Sequence, residues 1–512
     1  MGCTTLLVGK DATLDGSTLI ARNEDSGSTE FLPKRAQVVQ PADQPRHYEA
    51  AISHVKIELP DDPMRYTSLP DAISDHGIWA AAGVNEANVG MTATETLTSN
   101  ERVLGADPLV EYRAAKGKPG EEGYEPEVAG GIGEEDIVTL VLPYIHSARE
   151  GVERLGALLG TYGTYEMNGI AFSDTDEIWW LETVGGHHWI ARRVPDDAYV
   201  VMPNQLGIDA FDLTDAEGDR VECMASPDLR EFIEKNHLDR LDARSDEPGC
   251  AEAHVLFNPR DAFGSHSDSD HVYNTPRAWD MHRFLSPHMD WTLADGEGWG
   301  PEADDLPWCL PPERPVSVED VKYVLSLHYQ GTPYDPYGHY GDDSQRGKYR
   351  PIGINRNGQL DIIQLRPYAP EATRSVEWVA FGSNVFNTVV PLYSNVDASP
   401  EYLSNTTGRV STESFYWANR LVAALADAHW RECACHVERY QQAVVAAARA
   451  IVNETDERVA AAGLGYADAT PVLQQANERI CAMLREQTDD LLSKVLLDAS
   501  LKMRNGFARS DA

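Results

Sequence analysis

Apolar and polar residues begin to alternate almost at once. TTLLV is a β-rich run, positions 10–17 carry the turn signals Asp-Gly and Gly-Ser, and TLIARN resumes the strand. This predicts two short strands around a turn within the first ~30 residues. A second strand-rich block is predicted over 77–95, with Asn85-Glu86-Ala87-Asn88 as its hairpin connection. Residues 116–134, rich in Gly, Pro and Glu, predict a surface loop, and helical period follows at 135–147 and 150–159. From 169 to 203 the period returns to two, giving three or four strands broken by Asp and Gly. Helices are predicted over 214–245 and 316–330, and loops rich in Pro, Gly and Tyr over 287–315 and 331–350. More strands follow over 351–392, where Asn357-Gly358 reads as a turn. Beyond 411 the pattern is helical almost throughout, with a break at 463–471. Strands, helices, strands and a helical tail, without β-α-β alternation, predict an α+β fold of antiparallel sheets with helices packed outside.

The chain has 512 residues, more than one ordinary domain, and is 42% hydrophobic. It carries 82 acidic against 43 basic residues, a formal charge of −39. Such a charge repels nucleic-acid phosphates and anionic lipid, so nucleic-acid partners are excluded and solubility is the simpler meaning. No run approaches the ~18 apolar residues of a membrane span. The start lacks the basic and apolar regions of an export signal, and Leu6 stands where a myristoylation pattern needs Ser or Thr. The expectation is a cytoplasmic protein with no membrane partner. Seven cysteines in no framework predict reduced thiols. Cys433-x-Cys435-His436 lies in a helical pattern and reads as helix packing, not a metal site; His187-His188 and His328 are weaker metal candidates still. No metal or cofactor is expected. GxSxG, P-loop, HExxH and post-strand GxGxxG motifs are missing, and the glycine-rich stretch near 130 is acidic.

Cys3 remains. On position alone it is a small hydrophobe at a strand start. If Met1 and Gly2 are removed, the same residue carries a thiol and a free α-amine, whose reference pKa values (~8.5 and ~7.7–8.0) allow proton exchange near neutral pH. The amine then serves as general base and later protonates a leaving amine. Arg22-Asn23-Glu24-Asp25 follows on the neighbouring predicted strand. A hairpin returns Arg22 toward the cysteine, where a guanidinium favours thiolate, and Asp25 is placed to hold the α-amine or to fix Arg22. A solvated strand end is the simpler alternative for this cluster.

MGCTTLLVGKDATLDGSTLIARNED, GVNEANVGMTATETLTSNERVLGADPLVEY, VVMPNQ, NTPRAW and QGTPYDPYG together resemble the dipeptidase A family, a cysteine branch of the N-terminal-nucleophile (Ntn) hydrolases related to choloylglycine hydrolases and penicillin V acylases. The resemblance covers about the first 400 residues. It implies a four-layer αββα sandwich of antiparallel sheets and cleavage of dipeptides with broad side-chain tolerance. It also implies Cys3 as nucleophile with Arg22 and Asp25 as partners, and Asn204 together with the Asn85-Glu86 hairpin leading to Thr94-Glu95 as holders of oxyanion and substrate. Arg277 of NTPRAW matches a later active-site arginine. Small peptides are the implied partners. The implied organisation is residues 1–2 removed on maturation, 3–410 as catalytic domain and 411–512 as a helical segment. That segment reads first as packed on the catalytic domain and second as a homo-oligomer interface. Relatives begin Met-Cys or carry a longer leader, whereas Gly2 here separates Met1 from Cys3, so its removal needs either Cys3 itself or another peptidase. An amidase of the same fold, acting on N-acyl or conjugated amides, and a non-catalytic secernin-like regulator are the alternatives. The tyrosine- and aspartate-rich stretch DPYGHYGDDSQRGKYRPIG is expected to border the cleft.

Overall fold

The structure, a computed structural model, describes residues 2–27, 30–73, 75–240, 256–292 and 298–503. Its first two strands, Cys3–Val8 and Thr18–Asp25, are buried along their whole length. A strand buried on both faces must lie inside a sheet that is covered on both sides. They are the third and fourth members of a seven-stranded antiparallel sheet. From edge to edge it runs Cys309–Leu310, Tyr199–Met202, Cys3–Val8, Thr18–Asp25, Asn357–Leu365, Ser375–Phe381 and Val390–Tyr393. A second antiparallel sheet has six strands, in the order Cys223–Ala225, Trp189–Arg193, Ile178–Thr183, Asn168–Ser173, Gly90–Thr96 and Ala82–Val84.

The alternation of side chains assigns the faces. Leu7, Ile20, Val200 and Ile363 of the first sheet share one apolar cluster with Ala171, Trp180 and Ile190 of the second. The opposite side chains of the first sheet, Leu6, Val8, Leu19 and Ala21, pack with residues of the helices Thr275–Leu285, Val318–Val324, Phe415–Ala426, Trp430–Ala462 and Tyr466–Leu501. The outer face of the second sheet, including Met91, Phe172 and Trp179, packs with the helices Glu134–Val141 and Ala148–Tyr162. Antiparallel sheets, outer helices and a helical C-terminal region thus follow the sequence reading. Among the described residues, no helix is long and apolar enough to cross a membrane.

Three local expectations are corrected. The predicted helix over 214–245 is two helices, Leu213–Glu217 and Leu229–Asn236, separated by the edge strand Cys223–Ala225. The Asp215 carboxylate accepts from the N–H groups of Val221, Glu222 and Cys223, a local turn that competes with helix continuation. Residues 241–245 lie outside the described set. Asn357-Gly358 is not a turn: Asn357 opens a nine-residue strand, and the register against Thr18–Asp25 shifts between Asn357 and Gln359. The extra residue is a β-bulge. In the tail, the helix Tyr466–Leu501 runs through Pro471, so the break ends earlier than expected. Pro471 is the sixth residue of that helix, beyond the first four N–H groups that lack an intrahelical partner, so the helix forgoes there the hydrogen bond to the Ala467 carbonyl and continues without it.

Candidate functional site

Cys3 pairs with Glu24 across the first hairpin, and Thr5 pairs with Arg22. Side chains at 3, 5, 22 and 24 therefore share the face turned toward the second sheet, and the diagonal brings Arg22 to the cysteine. Both residues are almost wholly buried. Arg22 donates through Nη2 to Cys3 Sγ at 3.1 Å and to Glu134 Oε1 at 2.8 Å. Its Nη1 donates to the carbonyls of Ala81, at 3.2 Å, and Ala93. Trp79 and Ala81 are held at φ 53° and 61°, a left-handed region costing roughly 1–2 kcal/mol for a residue with a side chain. That local strain accompanies a carbonyl turned onto Arg22.

Carboxylates surround this guanidinium. Glu24 lies 3.5 Å from Nη2 and also pairs with the buried Lys34, which reaches Asp71 at 2.7 Å. Burial raises Glu24 above the usual carboxylate range against the pull of Lys34 and Arg22. Burial would lower Lys34, but Glu24 and Asp71 outweigh it and the net direction is up. Beyond Glu134, burial pushes Glu135 and Glu166 up to about 7 and Asp136 to about 6. Two carboxyl groups, Asp361 and Glu377, sit elsewhere in the interior of the first sheet. Burial, then the charge of Glu377, raises Asp361 well above its ordinary value; burial pushes Glu377 to about 7 against a hydrogen bond with Thr67.

The main chain of Cys3 is gripped from the other side. Its N–H donates to Asn204 Oδ1 at 3.1 Å, and Asn204 Nδ2 donates to the Thr96 carbonyl at 3.0 Å. Arg277, fully buried on the helix Thr275–Leu285, donates to the Cys3 carbonyl, to Thr4 Oγ1 at 2.7 Å and to Asn204 Oδ1 at 2.9 Å. Asn274 Oδ1 accepts from Arg277 at 2.8 Å, while Asn274 Nδ2 donates to Asp270 at 2.6 Å. Asp270 in turn gathers the hydroxyls of Ser265 and Ser267. The result is a braced line from a loop corner to the backbone of residue 3.

Asp25 lies beside the cysteine but not on Arg22. Positions 22 and 25 differ by an odd number, so on one strand they face opposite sides of the sheet. Asp25 pairs with Arg350 and accepts from Asn357 Nδ2 at 2.6 Å; its own N–H donates to the Gly2 carbonyl at 2.9 Å. The bulge after Asn357 makes that contact, because it turns Asn357 to the Asp25 side while Gln359 keeps the register with Glu24. A side-chain carbon on Gly2 would collide with Tyr273 Oη and stand 3.2 Å from Arg350 Nη2 and 3.4 Å from Asp25 Oδ2. Gly2 also lines a cleft of about 1170 Å³ together with Thr96, Ser99, Asn204, Asp270 and Tyr273.

Four of the residues singled out from sequence therefore meet directly: Cys3, Arg22, Asn204 and Arg277. Asn85 is placed elsewhere. Its Nδ2 donates to the carbonyls of Leu142 and Ile145, and its Oδ1 accepts from the N–H groups of Ala87 and Val89 within its own hairpin. The side chains of Thr94 and Glu95 lie outside the described set. Residues 85–88 do form the predicted connection, with Asn88 at φ 57°. Glu134, Asn274 and Asn357 were missed; Arg350 comes from the loop singled out as a cleft border. Cys433 packs in the tail's apolar core, Cys435 is exposed and His436 faces Asp498 at 3.4 Å. Among the described residues, no group of three His, Cys, Asp or Glu side chains is arranged to hold a metal ion.

The model of Peptidase family C69 matches residues 2–443, and the chain belongs to that family of peptidases. A protein of Bifidobacterium longum named "Dipeptidase" is 56% identical, with both chains covered in full. "Probable dipeptidase A" of Streptococcus pyogenes is 50% identical, again over both whole chains, and "Dipeptidase A" of Lactobacillus helveticus is 44% identical over 96% of each.

Proposed function

We propose that this protein is a dipeptidase that uses Cys3 as its nucleophile and hydrolyses dipeptides of broad side-chain specificity. The contact of Arg22 with Cys3 Sγ at 3.1 Å, beside a cleft bordered by Gly2 and Asn204, is the observation that carries the reading. The full-length likeness to proteins named dipeptidase supports the substrate class. The two facing sheets with outer helices are compatible with the Ntn αββα sandwich, with residues 3–410 as its catalytic part and a cytoplasmic setting.

These contacts support the following chemistry. Removal of Met1 and Gly2 converts the Cys3 nitrogen from an amide to an amine that can accept the thiol proton. Arg22 stabilises the thiolate, which adds to the scissile carbonyl. Asn204 Nδ2, at the cleft, is the proposed donor to the tetrahedral oxygen; such a donor contributes about 3–4 kcal/mol when preorganised. The Cys3 ammonium returns its proton to the leaving nitrogen, and the thioester is then hydrolysed by water, which the amine deprotonates. Arg277 holds the Cys3 carbonyl and Asn204 in position throughout, and Asp25 keeps the Gly2 seat in shape.

The purified protein should cleave Ala-Ala and Leu-Leu in preference to penicillin V and a conjugated bile salt. Preference for the last two overturns the dipeptidase reading in favour of an amidase. The intact mass of the active protein should lack residues 1 and 2; full activity in a chain retaining Gly2 overturns the amine as base.

A further inference from the structure

Two guanidinium groups, one beside Gly2 and one joined to it through the Tyr273 hydroxyl, have no part in the chemistry above. Arg350 is buried, pairs with Asp25 and lies 4.9 Å from the centre of the Tyr273 ring. Its Nε is buried without a hydrogen-bond partner. Burial, then the charge of Arg356, pull Arg350 down to about 9, and the thiol of Cys3 acts in the opposite direction. Arg356 is half-buried. It donates through Nη2 to Tyr273 Oη at 3.2 Å and through Nη1 to the Ser26 carbonyl at 3.4 Å. Among the described residues, no carboxylate stands within ion-pair distance of Arg356. Of these two cations only Arg350 pairs with a carboxylate, Asp25, in a protein whose net charge is −39.

The reaction itself says what arrives there. The leaving nitrogen must come to the Cys3 amine to receive its proton, and in a dipeptide the terminal carboxylate lies only two bonds from that nitrogen. The space adjoining the Cys3 nitrogen is the seat of Gly2, which must be empty for the amine to exist. Its walls are Tyr273 Oη, Arg350 Nη2 and Asp25, with Arg356 joined to the tyrosine hydroxyl. We propose that Arg356, with Arg350 and the Tyr273 hydroxyl, binds the terminal carboxylate of the dipeptide and so limits cleavage to substrates that end one residue after the scissile bond. The inference rests on the dipeptidase reading and adds the group that measures substrate length. A guanidinium suits this task because its planar fork matches a carboxylate, and partial desolvation strengthens the pair.

The test compares Ala-Ala with Ala-Ala amide, which has the same scissile bond and no terminal charge. For the wild type, kcat/KM for the free acid should exceed that for the amide by about tenfold or more. Arg356→Gln should raise KM for Ala-Ala about tenfold, leave its kcat within about twofold and leave the amide unchanged. Arg356→Lys should recover part of the loss, since it restores charge without the fork. Equal wild-type efficiency on acid and amide overturns the carboxylate site while leaving the dipeptidase reading intact. An Arg356→Gln variant that loses the same factor on both substrates also overturns it, because that is the mark of a structural role. A wild type that leaves Ala-Ala uncleaved overturns the dipeptidase reading, and this proposal with it.

Discussion

Two buried arginines reach Cys3, and they reach different parts of it. Arg22 comes from the neighbouring strand, touches the sulfur and shares its charge with Glu134 and Glu24. Arg277 comes from a helix 274 positions away in sequence, and its named partners at residue 3 and around it are carbonyl, hydroxyl and amide oxygens. The first is placed to change how readily the thiol ionises. The second is placed to fix where the main chain of residue 3 lies. A guanidinium near a thiol is therefore not one device; the atom it touches decides what it can do.

The contrast can be broken most severely at its shared target. Cys3→Ala should reduce dipeptide turnover by about a thousandfold or more, measured by product release, and full activity in that variant removes the site altogether. Arg22→Gln should cost about a hundredfold in kcat/KM and move the acidic limb of its pH profile upward, because the thiol loses the cation that favours its charged form. The same variant leaves Glu24 and Glu134 in the interior without that cation, so its unfolding free energy should fall by about 3–5 kcal/mol. Arg277→Gln should lower kcat by about ten- to a hundredfold with the acidic limb unmoved. An upward shift there equal to that of Arg22→Gln erases the distinction.

The smallest effect concerns stability. Asp361 faces Arg22 in the strand register, yet burial raises both it and Glu377 above the ordinary carboxylate range. A carboxyl group with a raised folded-state pKa contributes stability at low pH that is lost as pH climbs through the folded value, here about 7 for Glu377. Thermal unfolding should therefore occur at lower temperature at pH 8 than at pH 6. Asp361→Asn, which cannot ionise, should flatten that slope, raising Tm at pH 8 by about one degree for about 1 kcal/mol in stability, with less change at pH 5. An unchanged slope in Asp361→Asn counts against the buried pair.

Local pattern reached far into this site. The first hairpin, its turn and the approach of Arg22 to Cys3 follow from alternation and pairing within the first 25 residues. Parity along the same strand could have separated Asp25 from Arg22, since an interval of three residues reverses the face. Asn357-Gly358 shows where local chemistry is ambiguous: the dipeptide that often makes a turn here makes a bulge, and only the partner strand, more than 330 positions earlier, decides between them. Glu134 was hidden for the same reason. It opens a helix after an exposed loop and meets Arg22 at a sequence separation of 112, a contact that no periodicity announces. Arg277 and Asn204 were reached through motifs that resemble a family, while Arg350 lay within a stretch chosen only for its unusual composition.

The cramped berth of Gly2 also carries a practical lesson for anyone producing the protein. Under the proposed mechanism, an affinity tag or fusion partner joined ahead of that residue would have to leave past Tyr273 and Arg350, and would keep the cysteine nitrogen acylated until it is cut away. On that mechanism, purification handles belong on the carboxyl end, and a preparation tagged at the amino end is expected to under-report the enzyme's capacity.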